Sequence, residues 1–79
     1  MLGFDRITFD SNVMGGRACI RGMRVTVSLI LNLVSNRMTV DEIIAAYPYL
    51  QPDDIYQALA YGAWLAEESV HPFELVPAL

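Results

Sequence analysis

"RACIRGMRVT", residues 17–26, gathers three arginines into eight positions. A guanidinium offers planar, forked donors that fit a phosphate or a carboxylate. Arg17, Arg21, Arg24 and the later Arg37 are therefore candidates for contact with nucleic-acid phosphate or with an acidic site on a partner protein. All five basic residues are arginine, Arg6 completing the set, and every one precedes position 40. Residues 1–40 carry a balance of +3, whereas residues 41–79 carry −7 and no base, so the overall charge of −4 conceals a dipole along the chain. The same arginines can instead pair with Asp41, Glu42 or Asp54 and fasten a strand to a helix. Both readings stand open at this point.

Catalytic chemistry finds little to work with. There is no lysine, no second histidine beside His71, no glycine-rich phosphate loop and no Ser/His/Asp set. Asp53-Asp54 and Glu67-Glu68 fall at helix ends, where dipole and solubility effects account for them. His71 lacks a Cys or second His to share a metal. No catalytic residue, metal or cofactor is expected.

The elements that must position the arginines are short. Seventy-nine residues allow one core and one domain. An apolar fraction of 54% is more than a small sphere hides, and it predicts a dimer or larger assembly. Cys19 is the only cysteine, so no intrachain disulfide forms, and a cytoplasmic setting follows. "MLGFDRITFD" has no continuous apolar core after a basic start, and no apolar run approaches the roughly 20 residues of a membrane span.

"RITF" (6–9) and "RACI" (17–20) read as strands of a small ribbon around the turn-forming "DSNVMGG". A third extended piece, "MRV", leads into a helix over 27–35 capped by Thr26. Its stripe is Val27, Ile30, Leu31 and Val34, with Leu29 and Leu33 as a second apolar edge and Asn36 as a left-handed stop. "TVDE" (39–42) is a capping box that opens a second helix ending at Pro48. Pro52 opens a third that runs to about Ser69, with a small-residue face and a second face of Tyr56, Ala60, Ala63 and Trp64. The predicted fold is mainly α with a small N-terminal β-ribbon. Residues 1–25 form the ribbon and dimerisation arm, 26–69 a three-helix homeodomain-like, helix-turn-helix core, and 70–79 an extended tail.

Residues 17–64 resemble the bacterial domain-of-unknown-function family 433. The resemblance rests on Gly22 and Arg24, then Thr39, Asp41, Glu42 and Ile43. It continues through Tyr47, Pro48 and Leu50 to Asp54, Ile55, Ala58, Leu59 and Tyr61. Three positions depart from the pattern: Met23 stands for Thr, Thr26 for Pro and Arg37 for Gly. The resemblance implies a homeodomain-like or winged-helix domain. It also implies a VapB-like antitoxin that neutralises a PIN-like ribonuclease toxin and represses its own operon as a dimer.

An arginine that displaces the metal of such a nuclease must come from the five named above, Arg17 and Arg21 being the best placed. Partner contacts are expected from Leu29, Leu33, Trp64 and the tail residues Phe73, Leu75 and Val76. Base contacts, if operator DNA is read, fall to Gln51, Tyr56 and Gln57 at the third helix, although Asp53 and Asp54 there repel phosphate. The alternatives are a dimeric interaction module without DNA binding and a small stand-alone transcription regulator.

Overall fold

The computed structural model describes residues 3–70; Phe73, Leu75, Val76, His71 and the predicted tail lie outside them. Strand β1 is Ile7–Thr8 and strand β2 is Cys19–Ile20, followed by helices α1 (Val27–Ser35), α2 (Val40–Ala46) and α3 (Pro52–Val70). The strands pair antiparallel, Ile7 opposite Ile20 and Thr8 opposite Cys19, so each is two residues long where four were predicted. The segment between them folds into its own turns, including one turn of 3-10 helix at Met14–Gly16. The predicted third extended piece contributes a single bridge, Cys19 to Thr26, and the Ile20 N–H donates to the Val25 carbonyl at 2.9 Å. The bend that allows this is tight. Arg21 and Gly22 both take positive φ, +46° and +74°, and the Met23 N–H closes the turn on Ile20 at 2.8 Å.

Helix α1 starts where Thr26 caps it, the hydroxyl accepting from the Leu29 N–H at 3.0 Å. Its end corrects the expectation for Asn36. Asn36 sits at φ −89°, and the left-handed residue is Arg37 at φ +71°. The Met38 N–H reaches back to the Leu33 carbonyl at 3.2 Å and the Arg37 N–H to Val34 at 2.8 Å. That is a Schellman stop, and it requires its left-handed residue one position after the cap.

Helix α2 has the expected capping box. Thr39 accepts from the Glu42 N–H at 3.1 Å, and Glu42 accepts from the Thr39 N–H at 2.8 Å. Pro48 and the turn from Tyr47 to Leu50 separate it from α3.

Ile20, Ile30, Ile43 and Ile55 are wholly buried, one each from the ribbon, α1, α2 and α3. Around them Ile7, Val25, Val27, Leu50, Ala58 and Tyr61 complete the core. α1 and α2 each pack on α3. A Cβ on Gly62 would lie 3.0 Å from the Leu31 Cδ1, so glycine here lets α3 approach α1 closely. The predicted second apolar face of α3 is left exposed by the described residues. Tyr56, Ala60, Ala63 and Trp64 are all exposed. Among the described residues α3 packs against α1 and α2, and Phe4 and Phe9, on either side of β1, reach its Tyr61 and Trp64.

Candidate functional site

The opening cluster divides into arginines the fold uses and arginines it leaves alone. Asp54, in the first turn of α3, has no exposed surface. Its Oδ1 accepts from Arg6 Nη1 at 2.8 Å and Arg21 Nε at 3.0 Å; its Oδ2 accepts from Arg21 Nη2 and the Gln51 N–H, both at 2.8 Å. Four donors fill the four acceptor directions of a carboxylate. Burial pushes the Asp54 carboxyl up, but hydrogen bonds from Arg21, the Gln51 N–H and Arg6 outweigh it and hold it below the usual carboxylate range. The Asp54 bond correspondingly raises Arg21 further above its ordinary value. A carboxylate so occupied has no lone pair free for proton transfer. It fastens.

More contacts lace β1 to α3. Arg6 Nη1 also donates to Gln51 Oε1 at 2.8 Å, and the Arg6 N–H to Gln57 Oε1 at 2.9 Å. Gln57 Nε2 donates to Asp5 Oδ1 at 2.6 Å, a bond that holds the Asp5 carboxyl below its ordinary value. Arg21 Nη2 donates to the Tyr49 carbonyl at 3.0 Å, which ties the α2–α3 turn to the ribbon. The contact of Arg6 with exposed Asp53, at 3.8 Å, adds little. Gln51 and Gln57 thus spend their side-chain acceptors inside the chain, while Tyr56 stands exposed at 57%.

Arg6 was the residue that sequence reasoning undervalued. It lies outside the dense cluster, and its acid is 48 positions away. The one available signal was an acid at the third helical position of α3, where a side chain reaches the capping residue's N–H.

Arg17, Arg24 and Arg37 are exposed, and among the described residues none makes a salt bridge. Arg17 borders a groove of about 310 Å³ that is also lined by Phe9, Val27, Leu31, Tyr61 and Leu65. Phe4, Phe9 and Trp64 cluster about the Tyr61 ring, with centroids 5.5–6.2 Å from it. Of the predicted interface residues, Leu29 and Leu33 are half-buried against the core, and Trp64 is 41% exposed. The ribbon of the predicted arm is tied to α3 through Asp54. Cys19 is buried and free of any disulfide.

The described residues form a small helical domain with a two-strand ribbon locked to α3, three exposed arginines without a salt bridge among those residues, and an apolar groove. The chain belongs to the family described as Protein of unknown function (DUF433), which matches residues 7–62. No curated protein and no solved structure matches it. Among the described residues no helix is long and apolar enough to cross a membrane.

Proposed function

We propose that this protein is the antitoxin of a type II toxin–antitoxin system and neutralises a PIN-like ribonuclease. The observation that carries the proposal is the division of the arginines: two are consumed by Asp54, and three are held at the surface with no salt bridge among the described residues. A nuclease that gathers carboxylates around a divalent metal is a fitting counterpart for unpaired guanidinium groups. Arg37 supports the reading further. It occupies a left-handed position that favours glycine, so its side chain is retained at a cost to the fold.

The metal-displacing role falls to Arg17, Arg24 or Arg37, since Arg21 is committed. The test is to establish whether a PIN-like protein is encoded beside this gene, to co-express the two, and to assay the purified complex for RNase activity; a neighbourhood without such a protein counts against the proposal. Arg24→Ala/Arg37→Ala should keep full helical circular dichroism and lose inhibition. Full inhibition by that variant, tested also with Arg17→Ala added, sinks the proposal.

The arrangement of α2, the Tyr47–Gln51 turn and α3, with α1 against α3, supports a homeodomain-like helix-turn-helix reading. Operator binding would then use Gln51, Tyr56 and Gln57. The intrachain bonds of Gln51 and Gln57 favour the second reading, an interaction module that reads no bases. Gel shifts with the protein's own promoter at low salt separate the two. A shift that weakens as salt rises supports repression, and no shift supports the module.

A further inference from the structure

Three of the six large apolar side chains exposed among the described residues gather at one face: Phe9 at 51%, Leu65 at 43% and Trp64 at 41%. Phe9 and Leu65 line the groove, and Trp64 packs beside the Tyr61 that lines it, their ring centroids 5.9 Å apart. We propose that this face is where two copies of the chain pair, α3 beside α3, about a two-fold axis. A two-fold interface meets itself, so one patch must supply both a recess and what fills it. This patch does. The groove is the recess, and Leu65 with Trp64 on the adjoining helix are the residues that fill the partner's.

Charge agrees with the pairing. The groove's one cation is Arg17, exposed and without an acid among the described residues. Glu67 is exposed on α3 three residues, or about one turn, beyond Trp64, and so shares that residue's side of the helix. Antiparallel packing of the two α3 helices carries the acidic end of each toward the basic ribbon of the other. An apolar centre with a charged rim is the ordinary anatomy of a stable interface. A monomer of this size that left such a patch in water would be unusual, because extended apolar patches mark contact sites. The proposal needs only this chain and does not rest on the antitoxin reading. It leaves Arg24 and Arg37 free for another protein.

Sedimentation equilibrium on the full chain at micromolar concentration tests it. The expected mass is twice 8.8 kDa. Leu65→Glu should weaken association by tenfold or more, roughly the effect of 1.4 kcal/mol. Tyr49→Glu, exposed at 51% on the turn before α3 and outside the groove, should leave it unchanged. Arg17→Glu should weaken the dimer, and Arg17→Glu with Glu67→Arg should restore it. A persistent 8.8 kDa species, growth beyond a dimer, or a Leu65→Glu chain that pairs normally overturns the proposal. If circular dichroism finds Leu65→Glu unfolded, the charge exchange decides: recovery supports the interface, and its failure overturns it.

Discussion

Arg6 and Asp54 meet at 2.8 Å across 48 residues of sequence, and the carboxylate they share is closed on its other side by the two-pronged grip of Arg21. One buried charge thus joins the first strand, the turn after the second, and the start of the last helix. The Gln51 N–H is the only donor of the four that is local. The others can form only when the whole fold is in place.

Asp54→Ala should therefore be severely destabilising. Removing one member of a buried ionic network costs about 3–5 kcal/mol, and the partly exposed arginines put this case near 3. Stability of a 79-residue domain is itself only about 4–12 kcal/mol. Urea unfolding measures the loss; less than about 1 kcal/mol would mean that Asp54 does not hold the ribbon.

Acid should act on the same group. The folded-state pKa of Asp54 lies below its ordinary 3.8. Its contribution is complete above that value and disappears as pH falls through the lower, folded value. Thermal melting is expected to be insensitive to this group from pH 7 to 5 and to drop steeply below about 4. In a folded Asp54→Asn chain that drop should be shallower; an identical acid limb in both proteins would contradict the assignment.

Arg37→Gly should stabilise. Relief of a left-handed non-glycine residue is worth about 1 kcal/mol, which in a domain of this length raises Tm by roughly 4–8 °C. Calorimetry reads the gain, and the toxin assay should read a loss of inhibition in the same variant. A gain in stability with inhibition intact would remove Arg37 from the binding surface.

Thr39→Ala should cost about 1 kcal/mol through loss of the cap on α2. Combined with Glu42→Ala, the loss should be less than the sum of the two single changes, because each substitution breaks the same reciprocal pair. Additive losses in denaturant titrations would argue against a coupled box.

What could be read from sequence was local. Thr26, Thr39, Glu42 and Pro52 mark their helix starts because a cap is made with atoms three residues away. The stop after α1 was misplaced by one residue for a related reason. Asn tolerates the left-handed region, yet the bond from Met38 to Leu33 requires that conformation at Arg37. The knot at Asp54 was legible only as one of several possible pairings. Nothing in residue spacing says that Arg6 and Arg21 reach this acid while Arg17, Arg24 and Arg37 do not. The short ribbon escaped for a similar reason: alternation in "RITF" does not reveal that only Ile7 and Thr8 find partners. The exposed flank of α3 carries small and aromatic residues that suit a neighbour which the described residues do not supply.

The knot also sets an order of events at the ribosome. Arg6 and Arg21 are translated 48 and 33 residues before Asp54, on a segment that carries all five arginines of the chain. Their carboxylate arrives only when translation has passed residue 54. A polypeptide truncated before that point leaves both guanidinium groups without their buried acid, and the ribbon unsecured and open to proteases. One that passes it closes its first strand onto its last helix in a single step, so the completeness of the product and its survival become the same condition.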